Sequence, residues 1–178
     1  MVAVSLKKKE KDHVYGADDV QVKSTDVAGN DLVVKLGAVT TDNTADDISL
    51  TLHKDSGTSD SDRITNDVVV NVNGLESSSS WQYSVDGGAT WKVGSGSSFE
   101  LAKDHVYGAD DVQVKSTDVA GNELVVKLGA VTTDNTADDI TLELHKDSGT
   151  SASDRITNDV LVNVNGLESS SSWQYSVD

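Results

Sequence analysis

Residues 68–88 read VVVNVNGLESSSSWQYSVDGG and contain two alternating apolar patterns, Val68-Val70-Val72 and Trp81-Tyr83-Val85. Alternation with a period of two places such side chains on one face of a half-buried strand. NGLESSSS separates the two patterns, and Asp86-Gly87-Gly88 is typical of a tight turn. The stretch therefore predicts two neighbouring strands whose apolar faces share one core.

Similar strand patterns continue on both sides of this stretch, and the residues between them favour turns. The further strands are predicted in ISLTLHK (48–54), TWKVG (90–94), FELA (99–102), DVQVKST (111–117) and ELVVKLGAV (123–131). DSGTSDSDRITND (55–67) is predicted to be a long turn, KDHVYGADD (103–111) a loop and DVAGN (118–122) a turn.

Seven short strands at roughly ten-residue spacing predict an all-β fold, an immunoglobulin-like Greek-key β-sandwich. Trp81 falls on the third strand, where such sandwiches often carry a core tryptophan. Tyr107 precedes the sixth strand, at the place expected for a tyrosine corner. No segment shows the three-and-four apolar spacing of a helix.

The sequence repeats itself with a period of 92 residues. Residues 11–86 return as 103–178 with five substitutions: Asp31 to Glu123, Ser49 to Thr141, Thr51 to Glu143, Asp60 to Ala152 and Val69 to Leu161. Such a period indicates a tandem array of independently folding units. We expect residues 42–133 to form one complete repeat, 1–41 the C-terminal half of a repeat, and 134–178 the N-terminal half of another.

Composition narrows the possible functions. The formal net charge is −16, so we expect the chain to repel nucleic acid and anionic membranes. There is no cysteine, which excludes disulfides and thiol chemistry, and no apolar run has the length of a membrane span. The acidic residues gather in loops rather than spreading evenly, which points to cation binding as the alternative to a merely solvated surface.

The strings TDNTADD, DSGTSDSDRITND, NGLESSSSWQYSVDGGATWKVGSGSSF and YGADDVQVKSTDVAGN resemble the bacterial immunoglobulin-like tandem repeats of giant surface adhesins, including the extender repeats of repeats-in-toxin and biofilm adhesins. The resemblance covers nearly the whole chain except residues 1–10. It implies calcium-stiffened spacer repeats on the bacterial cell surface, outside the cell, that bind neighbouring copies head to tail. Other domains would carry the adhesion target. The family's linker usually has a proline where Asp46 stands here.

The predicted topology places the 55–67 turn, the 102–111 loop and the linker at 133–139 at one end of a repeat, and the DVAGN and NGLESSSS turns at the other. Stacking repeats would bring carboxylate and amide oxygens together, which are ligands that Ca²⁺ prefers. Asp60 becomes Ala152 in the second copy, so we do not include it. The predicted metal ligands are Asp26, Asn30, Asp42, Asn43, Asp46, Asp55, Asp62, Asp67, Asp118, Asn122, Asp134, Asn135, Asp138, Asp147 and Asp154.

Other site types have weaker support, and we do not expect an enzyme. The histidines lack zinc-site spacing, and GSGSS (94–98) lacks the order of a phosphate loop or a nucleophile elbow. The rival function is a calcium-holding carbohydrate-binding sandwich, for which Trp91 is the only candidate sugar platform.

The half-repeats raise a further expectation, that they complete each other between molecules and build a filament. Residues 1–10, MVAVSLKKKE, stand where VGSGSSFELA would be expected, and VAVSL is predicted to act as a replacement strand. GGATWK has no counterpart outside the central repeat. The open alternative is an arbitrary window on a longer array.

Overall fold

A computed structural model describes residues 12–178, which form sixteen strands and no helix. The prediction of an all-β chain is confirmed. The predicted replacement strand in residues 1–10 lies outside the described residues. The chain divides into two compact units, the first ending at Asp134 and the second spanning Asn135–Asp178. Within the first unit we call residues 12–41 the N-terminal segment and 42–134 the central segment, and the second unit is the C-terminal segment.

The N-terminal segment holds four strands: β1 (His13–Tyr15), β2 (Gln21–Thr25), β3 (Asp31–Lys35) and β4 (Val39–Thr41). β2 and β3 form an antiparallel hairpin in which Gln21 lies opposite Lys35. β1 pairs with β4 in the same antiparallel sense.

The central segment holds ten strands: β5 (Ser49–Leu52), β6 (Ile64–Thr65), β7 (Val69–Asn73), β8 (Ser80–Ser84), β9 (Lys92–Val93), β10 (Ser98–Glu100), β11 (His105–Tyr107), β12 (Gln113–Thr117), β13 (Glu123–Lys127) and β14 (Val131–Thr133). One sheet has the order β10-β7-β5, and a second has the order β13-β12-β8-β9. A third small sheet, β11-β14-β6, includes a parallel pairing of β14 with β6.

The core of the central segment combines the apolar faces of these sheets. β7 contributes Val70 and β12 contributes Val114, and Val112 directly precedes β12; none of these three valines has exposed surface. β8 contributes Trp81. Tyr83 and Val68 are partly buried against the same cluster. The side-chain facing predicted for residues 68–85 is confirmed, because alternation on a strand sends every second residue inward.

Trp81 determines the local backbone as well as the core. Its indole Nε1 donates to the carbonyl of Gly96 at 3.0 Å. A Cβ on Gly94 would collide with the indole ring, so only glycine fits there. The tryptophan thus requires glycine at position 94 and is bonded to Gly96, so GSGSS packs against the core tryptophan.

Tyr107 is buried and its hydroxyl accepts a hydrogen bond from the Ala102 amide at 2.9 Å. A tyrosine corner makes such a bond to the backbone a few residues upstream.

Three sequence predictions of element bounds were wrong. The loop predicted at 103–111 contains β11, which is held by pairing with β14 across 28 positions rather than by a local pattern. The single strand predicted at 123–131 is two strands, β13 and β14, because Gly129 adopts a φ of 89° between them. The long turn predicted at 55–67 contains the short strand β6.

The C-terminal segment holds two strands, β15 (Thr141–Leu144) and β16 (Val162–Asn165), paired antiparallel with Leu142 opposite Val164. This is the register of β5 and β7, whose residues Leu50 and Val72 lie opposite each other. Residues 172–176, which repeat the sequence of β8, form no strand.

Candidate functional site

The strands of the central segment run between two poles. The upper pole contains the linker 42–46, the turn 76–79 and the turn 118–122, and the lower pole contains residues 54–67, 102–105 and 130–134. β5 leads from the upper pole to the lower one and β7 leads back. The acidic residues predicted as ligands lie at these poles.

Asp46 anchors the linker at the upper pole. Its carboxylate is buried and accepts hydrogen bonds from Ser79 Oγ at 3.0 Å and from Ser116 Oγ on β12. A buried carboxylate is tolerated only where such donors compensate its lost hydration. The linker is therefore fixed to the core by hydrogen bonds.

The turn 118–122 is organised by Asp118 and Asn122. Asp118 Oδ1 accepts the Asn122 amide at 2.8 Å, and Oδ2 accepts Asn122 Nδ2 at 2.8 Å. The side-chain bond from Asn122 is the largest of the effects that lower the pKa of Asp118. Asn122 Nδ2 also donates to the carbonyl of Asp42 at 3.2 Å, which joins the turn to the linker.

The matching turn of the N-terminal segment has the same internal bonds. Asp26 accepts the Asn30 amide and Asn30 Nδ2, each at 2.8 Å, and its pKa is lowered by them. Asp26 and Asn30 are both exposed.

Negative charge accumulates around Glu76 at the upper pole. Partial desolvation raises the pKa of Glu76, and the carboxylates of Asp46, Asp42, Asp118 and Asp12 raise it further. The ionised glutamate is thus repelled by four neighbours.

Asp12 links this cluster to the N-terminal segment. Its Oδ1 accepts the Asn43 amide at 2.7 Å and its Oδ2 accepts Thr44 Oγ1 at 2.6 Å. A groove of about 290 Å³ lies between the segments, and its lining includes Asp12, Asp42 and Glu76. The cluster therefore occupies a junction along the chain.

The lower pole carries a second arrangement of acids in the 55–67 turn. Asp55 Oδ2 accepts the Arg63 amide at 2.9 Å, whereas Asp55 Oδ1 is buried and makes no hydrogen bond within the described residues. Asp62 Oδ1 accepts the Ile64 amide at 3.0 Å. A buried carboxylate oxygen without a donor is unfavourable, and a cation would compensate it.

The C-terminal segment reproduces this turn. Asp147 Oδ2 accepts the Arg155 amide at 3.0 Å, and Asp147 Oδ1 is likewise buried without a hydrogen bond among the residues described. Asp154 Oδ1 accepts the Ile156 amide at 3.0 Å. The uncompensated oxygen is thus a property of the turn sequence and not of one copy.

Asp67, unlike Asp55 and Asp62, is paired with a histidine: His53 Nδ1 lies 2.7 Å from its Oδ2. This bond is the main reason why the pKa of Asp67 is lowered. His145 and Asp159 form the same pair, also at 2.7 Å. Both histidines are exposed.

The linker residues 134–138 are divided between the two units. The Asp134 amide donates to the Thr65 carbonyl at 2.9 Å, at the lower pole. Asp138, by contrast, accepts Ser171 Oγ at 3.0 Å within the C-terminal segment. Asp138 is thus bonded inside the C-terminal segment as Asp46 is inside the central segment. Asn135 is the first residue of the C-terminal segment.

Nine of the fifteen predicted ligands thus form two groups at opposite poles of the central segment. One group contains Asp42, Asn43, Asp46, Asp118 and Asn122, and the other contains Asp55, Asp62, Asp67 and Asp134. Across residues 12–178 no three His, Asp or Glu side chains converge closely enough to hold a metal ion. The oxygen-only donor set and the uncompensated Asp55 Oδ1 fit calcium, but ligation would require side chains to turn toward a common point.

Sequence reasoning missed two members of the upper cluster, Asp12 and Glu76. Glu76 lies in NGLESSSS, which the predicted topology had already placed beside the DVAGN turn. Asp12 belongs to the loop that precedes β1, so its approach to Asn43 depends on a contact across 31 positions.

Trp91, the candidate sugar platform, already packs against another side chain. Trp91 is half-buried, and Lys115 Nζ lies 5.1 Å from its ring centroid, so one face of the indole is already in contact.

In the described part of the chain no helix has the length and apolar character of a membrane span. No protein-family model matches the chain, and no curated protein matches it.

Proposed function

We propose that the chain consists of structural spacer repeats, immunoglobulin-like Greek-key sandwiches in tandem, from an extracellular bacterial surface adhesin, and that calcium makes them rigid. The observation that carries the proposal is the gathering of Asp12, Asp42, Asp46 and Asp118 around Glu76 at a junction along the chain. A cluster of this kind is unfavourable by itself, because like charges repel at short range.

The residues at the junction hold the linker through separate hydrogen bonds. Asp46 fixes the linker to the core through Ser79 and Ser116. Asn122 holds the carbonyl of Asp42, and Asp12 holds residues 43 and 44 from the neighbouring segment. These bonds orient the linker, while the like charges of the carboxylates around Glu76 repel one another.

Calcium would neutralise this charge and bind oxygens from both sides of the junction. With the repulsion removed, the hydrogen bonds of Asp12 and Asn122 keep the linker in one geometry. A series of such junctions behaves as a rod, which suits a spacer that holds a distal adhesion domain away from the cell. The uncompensated Asp55 Oδ1 offers a second place for calcium, in the 55–67 turn.

The proposal predicts that calcium stabilises the 178-residue chain. Extracellular modules bind calcium with Kd values of about 0.1–1 mM. At 10 mM calcium, mass action gives about 1.4–2.7 kcal/mol per site. For a single repeat of about 92 residues we expect the Tm to rise by about 6–20 °C over the value in EDTA. Differential scanning calorimetry measures this, with magnesium at equal concentration as the ionic-strength control. A Tm that responds equally to both cations would refute calcium binding.

A further inference from the structure

Identical sequences occupy different environments in this chain. β2 repeats the sequence of β12, yet Val22 is 53 % exposed whereas its counterpart Val114 has no exposed surface. The β2–β3 hairpin keeps the register of β12–β13, so its backbone is formed. The difference is that, in the central segment, a further layer covers the apolar face of the matching β12–β13 hairpin.

The C-terminal segment shows the reciprocal difference. Trp173 is 52 % exposed, whereas its counterpart Trp81 is 5 % exposed. Residues 172–176 form no strand, although the same sequence forms β8, whose partners are β9 and β12. The strand therefore forms where β12 or its equivalent pairs with it.

The central segment displays the interface that both terminal segments lack. Its residues 43–86 correspond to 135–178, and its residues 104–133 correspond to 12–41. β8 pairs with β12 so that Tyr83 lies opposite Val114. β6 pairs with β14 so that Thr65 lies opposite Thr133.

Polar contacts fix the same interface. Arg63 donates from its guanidinium to the carbonyls of Leu128 at 2.7 Å and Ala130 at 2.6 Å. Asp46 accepts from Ser116, as described for the linker. Each of these residues has an identical counterpart in a terminal segment: Arg155, Leu36, Ala38, Asp138 and Ser24.

We propose that residues 12–41 of one molecule bind residues 135–178 of a second copy in this register and rebuild one sandwich between them. Residues 172–176 then form a strand beside β2, with Tyr175 opposite Val22. Arg155 donates to the carbonyls of Leu36 and Ala38, and Ser24 donates to Asp138. The exposed apolar faces and open strand edges of both segments are covered by this one association.

A second copy fits better than closure within one chain. The chain joins the central segment at the upper pole, where Asn122 holds Asp42, and leaves it at the lower pole, where Asp134 is bonded to Thr65. The two terminal segments are thus connected to opposite poles. Because the contact joins two different surfaces, every added copy leaves one surface of each kind open, so further copies add in a row unless a ring closes.

The rebuilt sandwich lacks counterparts of β9 and β10 among the described residues. In the central segment β10 supplies Phe99, whose ring stacks on Tyr83 at 4.5 Å between centroids. Part of the core is therefore missing, and we expect association in the micromolar range rather than tighter. The inference does not depend on calcium, so it is tested in EDTA, where failure leaves the calcium proposal untouched.

Sedimentation velocity provides the first test, on the 178-residue chain from about 1 to 100 μM. We expect the mass to rise with concentration from 18.8 kDa through its multiples. Val22→Asp should hold the chain at the monomer mass, whereas Val27→Asp, at a fully exposed turn position, should associate like the parent. A parent chain that stays monomeric at 100 μM, or equal association of both variants, would overturn the proposal.

Engineered disulfides test the register and the partner, since the chain has no cysteine. Lys115→Cys with Gln82→Cys is the control, because these residues lie opposite each other within the central segment and should link within one chain. Lys23→Cys with Gln174→Cys places the matching pair on the two terminal segments. We expect a ladder of linked chains on a non-reducing gel. A link confined to single chains, or no link while the control pair links, would contradict binding between copies.

Discussion

Replacing Trp81 by alanine should remove most of the stability of the central segment, whereas the same replacement at Trp173 should not. Trp81 is 5 % exposed, and its ring centroid lies 6.1 Å from that of Phe99. A buried tryptophan replaced by alanine costs about 3–5 kcal/mol. Loss of the Trp81 hydrogen bond leaves the Gly96 carbonyl without its donor and adds about 1 kcal/mol. Single domains have a total stability of about 5–15 kcal/mol, so the effect is a large fraction of the whole.

The assay is urea unfolding followed by far-ultraviolet circular dichroism, at a protein concentration of about 1 μM to limit association between copies. Trp81→Ala should lower the midpoint or abolish the transition. Trp173→Ala is the matched control, because it changes the same residue in the same local sequence at 52 % exposure. We expect it to cost less than about 1 kcal/mol. Equal losses from both variants would show that the layers do not pack as described.

Two further predictions concern the charged groups. Because the pKa of Glu76 is raised above its ordinary value of 4.5, Glu76→Gln should raise the Tm in EDTA at pH 7 and reduce the gain from calcium. This advantage should be lost as the pH falls through the raised value toward 4.5. Glu100→Gln, at an exposed position of β10, is its control and should change neither quantity. Because the pKa of Asp67 is lowered from 3.8, its contribution to stability is present above about pH 4 and is lost as the pH falls through the lowered value. Asp67→Asn should therefore have a lower Tm than the parent at pH 6, and the two Tm values should converge toward pH 2. A Tm difference that stays constant with pH would refute the role of the His53 bond.

The sequence predicted the facing of residues 68–85 because the alternation is local and each strand shows it by itself. It did not predict β11, since HVY within KDHVYGADD has no strand pattern and is held by β14 from 28 positions away. It also did not predict the division at Gly129, where one positive φ separates two strands in an apolar run.

The acidic site was predictable in part, because some of its residues are close in sequence. The acids of the 55–67 turn are close in sequence, so their clustering is visible without a structure. The approach of Asp12 to Asn43, and of Glu76 to Asp118, depends on how separate loops meet at the upper pole. The different exposure of Val22 and Val114 has no local cause at all, because their surrounding sequences are the same and only their partners differ.

Small-angle X-ray scattering on the monomer peak from size-exclusion chromatography, in EDTA and in 10 mM calcium, tests most directly whether calcium makes the chain rigid. Rigid junctions predict a larger radius of gyration and a narrower distribution of maximum dimensions in calcium than in EDTA, with no such change in magnesium. Superimposable scattering profiles in calcium and EDTA would contradict the proposed function.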